Sequence, residues 1–260
     1  MNSILRAIRF ESIKILTSRT WWVITPIVVV FQGFIAFMTG IGYAQIGIGA
    51  TPETEPSLLE PLPPIEYFGF EFLPFGEAVI VVAAAILSSA EYRSDELRTT
   101  TLAINKRITS LASKLLSLTA LVALLALVSI IVTIVSVHVG IGSEGLTLTT
   151  LPGVTWKHIT MSAVYWSLLA LLTYLVGIAT RSWIPPMALF LPQVLGLGDW
   201  LAGRWDAASY LPTNAGHCWS ATPEFSCSSS SGPFLAALIF WVLVATLLTG
   251  VVYQRRDIGA

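Results

Sequence analysis

The stretch SLASKLLSLTALVALLALVSIIVTIVSVH, residues 110–138, holds Lys114 as its only Lys, Arg, Asp or Glu and has neither glycine nor proline. A hydrocarbon layer about 30 Å thick needs about 20 apolar residues at about 1.5 Å each, and this run is longer. Lipid offers no partner for backbone N–H and C=O groups, so a run of this kind must bond to itself as a spanning α-helix.

Working outward, five further runs have a similar character: 21–42, 72–90, 156–180, 183–198 and 233–253. The run 183–198 is the shortest and contains Pro185, Pro186 and Pro192, each of which removes a backbone donor, so it is expected to be kinked and packed against protein. Composition agrees with a membrane class. The chain is 55% hydrophobic and 11% charged, with a mean hydropathy of +0.77, against about 25% charged residues in a soluble domain.

The basic residues supply an orientation. Arg6, Arg9, Lys14, Arg19, Arg93, Arg98, Lys106, Arg107, Lys114, Arg181, Arg255 and Arg256 fall on one side of the six runs, leaving only Lys157 and Arg204 opposite. By the positive-inside rule both termini are cytoplasmic. The expected fold is an all-α integral membrane protein of six transmembrane helices, a single domain over 1–260. The net charge of −1 gives no sign of nucleic-acid binding.

The connection 43–71 is then external; it carries Glu53, Glu55, Glu60, Glu66 and Glu71 without Lys or Arg. Residues 1–20 read as an amphipathic interfacial helix with Ile4, Ile8 and Ile15 on one side, turning into the bilayer at Trp21 and Trp22. The first apolar run is too long for a secretory signal and reads as an uncleaved span. No internal repeat of the kind common in secondary carriers is visible.

Several chemistries lack their residues. No Gly-Lys pair exists, so no phosphate loop can be built, and HExxH is missing. His138, His158 and His217 are scattered, and no metal site or catalytic residue is assigned. Cys218 and Cys227 form a local disulfide if their segment lies outside the cytoplasm, or remain two thiols. Glu77, about five residues into the second span, has two readings: a functional intramembrane acid, or a carboxylate reaching headgroup water.

The remaining anomaly is EYRSDELRTTTLAINKR, residues 91–107, which gathers seven ionisable side chains between two nearly uncharged runs. This cytoplasmic segment, followed by Lys114, resembles the stretch between spans two and three in the permease subunits of ABC-type exporters of the second class (type V ABC fold). That group includes antibiotic, bacteriocin-immunity and polysaccharide exporters. Glu91, Arg93, Leu97, Arg98, Thr100, Arg107 and Lys114 match; Asp95 and Glu96 replace the usual Gly-Thr, and Asn105 stands where proline is common. The N-terminal helix, YLPTNAG at 210–216 and YQRRDI at 253–258 match more weakly.

The resemblance implies that residues 91–107 are a coupling segment docking an ATPase subunit through Glu91, Arg93, Asp95, Glu96, Leu97, Arg98, Thr100 and Arg107. It implies short re-entrant helices before the last span, within an extracellular region 199–232. ATP and Mg would belong to two cytosolic ATPase copies, with no cofactor on this chain. A second permease copy or a homologue would complete a dimer in the bacterial plasma membrane. The expected cargo is amphipathic or hydrophobic: a drug, an antimicrobial peptide or a lipid. The alternatives are a non-transporting scaffold or immunity protein that anchors a cytosolic partner, and an intramembrane enzyme.

Overall fold

The computed structural model describes residues 2–93, 107–220, 227 and 231–255. Among them the chain is helical with no strand. Five segments are long and apolar enough to cross a membrane: Arg19–Ile46, Ile65–Ala90, Ile108–Ile141, Gly153–Thr180 and Gly232–Tyr253. The protein is therefore a multi-pass helical membrane protein in character.

Helix α1, Asn2–Thr17, stops at Ser18, whose extended backbone breaks the ladder and whose hydroxyl accepts the Trp21 N–H at 3.1 Å. The turn toward the first span thus falls at Ser18, ahead of the tryptophans, because a capping side chain stands there. Helix α2, Arg19–Pro26, passes through a π-helical turn, Ile27–Phe31, into α3, Gln32–Ile46. The Ser129 hydroxyl donates to the Val28 carbonyl inside that turn.

After an irregular connection and a 3₁₀ turn, Phe70–Phe72, helix α4 runs over Leu73–Arg93. Glu71, the last acid of the connection 43–71, accepts from the Gly69 N–H at 2.8 Å and the Tyr43 hydroxyl at 3.1 Å. Helix α5, Arg107–Ile141, lies parallel to α3. Gly33 meets Val132 and Ser136, and Gly40 meets Val137 and Gly140; a Cβ at either Gly40 or Gly140 would strike the facing backbone. Small residues of this kind let membrane helices approach closely.

With 35 residues, α5 measures about 52 Å and overruns a hydrocarbon core of about 30 Å. Its first turns carry α1. Lys114 Nζ lies 3.0 Å from Glu11 Oε1, and the Ser117 hydroxyl donates to the Ile8 carbonyl at 3.1 Å. The face of α1 that packs inward is Ala7, Glu11 and Ile15, spaced four residues apart. The stripe expected through Ile8 is displaced by about one position because the ion pair sets the rotation.

Helix α6, Gly153–Thr180, is the most enclosed of the long helices and α10, Ser231–Arg255, the least. Between them the expected fifth span, 183–198, is not one uninterrupted helix. Helix α7, Ile184–Pro192, runs into a π-helical turn, Gln193–Leu197, in which Leu195 and Gly196 leave helical geometry, and then into α8, Gly198–Ala202. Pro192 withholds an N–H and Gly196 adopts φ 103°, a conformation that side chains disfavour. A 3₁₀ turn, Asp206–Tyr210, leads to α9, Pro212–Trp219.

Candidate functional site

Polar side chains converge where the first turn of α4 meets α6 and α9. Pro74 occupies the opening turn of α4, where its missing N–H would have no ladder partner. Two residues on, Gly76 has no Cβ, and the Gln32 amide oxygen and the Trp166 ring crowd into that space. Glu77 follows, 1% exposed, facing α6 and α9.

Helix α9 is held firmly for its eight residues. Pro212 starts it; the Asn214 amide donates to the Gly198 and Ala208 carbonyls at 2.8 and 2.9 Å; and the Thr213 hydroxyl donates to Gln193 Oε1 at 3.1 Å. Gly216 allows the Tyr165 ring to lie directly on its backbone, where a Cβ would overlap the ring. Beyond the helix end, His158 Nδ1 sits 3.1 Å from the Ser220 carbonyl, and Cys218 is bonded to Cys227.

These anchors bring His217 to Glu77. The Tyr165 hydroxyl donates to Glu77 Oε1, and His217 Nε2 lies 3.0 Å from Glu77 Oε2. The phenol and imidazole rings meet edge to face at 5.7 Å. His217 Nδ1 is 4.0 Å from Asp199 Oδ1, whose side chain is 56% exposed. Burial lowers the His217 pKa, but the adjoining Glu77 carboxylate and the Asp199 contact outweigh it and raise it from 6.5 to about 10. At neutral pH the imidazole is therefore charged and donates to Glu77.

A cavity lined by Glu77, Ser162, Tyr165, Trp166, His217 and Ser220 adjoins the carboxylate. It measures about 20 Å³, space for roughly one water molecule. An acid, an imidazolium and a phenol around one water can exchange a proton.

Of the residues singled out in the sequence, Glu77 is at the centre of this cluster and the cysteines are joined beside it. His217, one of the three scattered histidines to which the sequence assigned no role, is buried and paired with Glu77. Glu91 and Arg93 end α4 and Arg107 opens α5. Asp95, Glu96, Leu97, Arg98 and Thr100 lie outside the described residues. Tyr165, Asp199 and Gln32 were not legible as partners. Their common signal is polarity inside otherwise apolar runs. Neither a scan of protein-family models nor a search of curated protein sequences finds a match.

Proposed function

We propose that this chain is the membrane-spanning subunit of an ATP-driven ABC exporter, working with two cytosolic ATPase subunits and a second permease copy or homologue in a bacterial plasma membrane. The chain itself supplies no ATP site. ATP and Mg are held by the ATPases, and the cargo is an amphipathic or hydrophobic molecule such as a drug, antimicrobial peptide or lipid.

The observation that carries this reading is the clamp between Glu11 and Lys114. The connection 94–106 leaves α4 at Arg93 and enters α5 at Arg107, two turns before Lys114. A push on that connection would reach α1 through a buried ion pair as well as α4 and α5 through their backbones. The lysine of the sequence pattern is thus a mechanical joint in this reading.

The broken segment α7 to α8 serves as the sixth crossing. Pro186 lies near Gly177, which packs against Ser88, whereas Asp199 approaches His217 beside Glu77. The segment therefore follows α4 over at least the stretch between Ser88 and Glu77, about 16 Å of a hydrocarbon core of about 30 Å. Six crossings leave both termini and twelve of the fourteen Lys and Arg residues on the cytoplasmic side. Helices α8 and α9 are then re-entrant elements at the outer face.

Charge reversal tests the docking assignment. Arg98→Glu or Glu96→Lys should release the cognate ATPase from the membrane-inserted permease in co-purification. Retention of the ATPase at the wild-type ratio in both variants would sink it.

A further inference from the structure

The segment from α8 to the turn before α9 exposes charged side chains at a depth where hydrocarbon is expected. Asp199 Oδ1 lies 4.0 Å from His217 Nδ1, and His217 joins Glu77 inside the apolar segment Ile65–Ala90. From Ala90 to Glu77 the helix rises about 20 Å, so a hydrocarbon core of about 30 Å measured from Ala90 continues about 10 Å past this level. Helix α10 gives a similar depth independently. The Tyr210 ring meets Phe234 at 5.5 Å and the Tyr210 carbonyl accepts from Trp241 Nε1 at 2.9 Å, both inside the apolar segment Gly232–Tyr253. Yet the Asp199 side chain is 56% exposed, and Trp200, Arg204, Trp205 and Asp206 are exposed with it. Ionisable groups at such depth need water, a partner or a headgroup around them.

This surface is held in shape. The buried Asn214 amide binds the Gly198 and Ala208 carbonyls, so one side chain closes both ends of the segment that carries the exposed residues. Within it the Gly203 N–H donates to the Asp199 carbonyl and the Trp205 N–H to the Leu201 carbonyl, each at 2.9 Å. The Arg204 guanidinium stands over the Trp200 ring at 4.3 Å and enters no ion pair among the described residues. Its N–H donors are thus left for an acceptor from outside the chain.

We propose that the clamped segment 199–206 docks the headgroup of a zwitterionic phospholipid, phosphatidylethanolamine, with the phosphate on Arg204 and the ammonium against Trp205 and Asp206. This goes beyond the transport reading and does not depend on it. A guanidinium matches phosphate oxygens in a two-pronged fork, and an indole face with a carboxylate beside it suits an ammonium. Two acids against one arginine disfavour a lipid whose headgroup is only negative. Tryptophan and tyrosine among charges are the composition of the headgroup zone, whereas the core of a protein interface is depleted of charge. The patch is also continuous with a surface suited to lipid: beside Trp241, helix α10 exposes Phe240, Leu243 and Leu247. The leaflet therefore dips at this segment, and the headgroup that fills the dip supplies the polar surroundings the exposed charges need.

The test is photo-cross-linking from p-benzoylphenylalanine placed at the exposed Ala207, which leaves the site itself intact. The full-length chain, disulfide formed, is reconstituted in vesicles of equal phosphatidylethanolamine and phosphatidylglycerol, and adducts are identified by mass. Position 207 should label phosphatidylethanolamine about fivefold over phosphatidylglycerol. Adding Arg204→Gln should bring the two to parity, and the same photoprobe at Leu247 should label both lipids in proportion to their abundance. Equal labelling of the two lipids from position 207, adducts only with a second copy of the chain, or no lipid adduct at all overturns the proposal. A preference unchanged by Arg204→Gln overturns it as well.

Discussion

Lys114 and Glu11 form an ion pair of 3.0 Å between α5 and α1, with side chains only 1% and 2% exposed. In this setting neither charge has water to fall back on. The pair fixes how α1 is rotated against α5, because Ala7 and Ile15 flank Glu11 on the same buried face.

Removing one partner should therefore be far worse than removing both. Lys114→Met leaves Glu11 buried and unpaired, an expected loss of about 3 to 5 kcal/mol. The double variant Glu11→Leu with Lys114→Met should recover most of it. Denaturant unfolding in mixed micelles measures both, and equal losses in the single and double variants would contradict the clamp.

The contact of α3 with α5 should be as sensitive to one methyl group. Gly140→Ala directs a Cβ at the Phe37 carbonyl, and backbone cannot step aside as a flexible side chain would. A loss of about 1 to 3 kcal/mol is expected by analogy with overpacked cores. Gly142→Ala, two residues on, meets no atom within 4 Å but sits at φ 85°, so its cost should come from strain alone. Thermal unfolding of Gly140→Ala indistinguishable from wild type would show that the two helices are free to separate.

Much of the fold was legible because long apolar runs leave a chain no other structure in lipid. The runs 21–42, 72–90, 110–138, 156–180 and 233–253 each fall within or along a spanning helix. The run 183–198 was harder. Its prolines announced a kink, but the break at Leu195 and Gly196 depends on a positive φ that composition does not reveal. The partners of Glu77 were invisible for a related reason. Tyr165 and His217 lie 88 and 140 residues away, and periodicity carries no information about which polar residues of separate helices meet. Glu11 and Lys114 were individually odd charges on apolar faces, and pairing such oddities is the signal that would have joined them.

His217 gives a pH dependence with a definite sign. Its folded-state pKa, about 10, exceeds the ordinary 6.5, so its contribution to stability is complete below about 6.5 and fades as pH climbs through about 10. The stability gap between wild type and His217→Gln should thus be widest below about pH 6.5 and narrow toward about pH 10. Thermal unfolding of both proteins across that range measures it. A gap that widens with rising pH would contradict the ion pair.

The Cys218–Cys227 bond closes a short loop directly after His217. Loop-closure entropy for about ten residues corresponds to about 2 to 3 kcal/mol, most of which should appear as loosening of α9. In intact cells a membrane-impermeant maleimide should label these positions only after reduction. Labelling without reductant would contradict the disulfide, and no labelling after reduction would contradict an external position.

The claim that this chain is driven by a cytosolic ATPase is tested most directly by cross-linking across the proposed docking contact. Thr100→Cys, in the permease with Cys218 and Cys227 retained as a disulfide, should cross-link to the cognate ATPase with a yield that changes between the ATP-bound and nucleotide-free states. Absence of any cross-link from Thr100→Cys, together with an ATPase rate unaffected by the permease, would contradict the account.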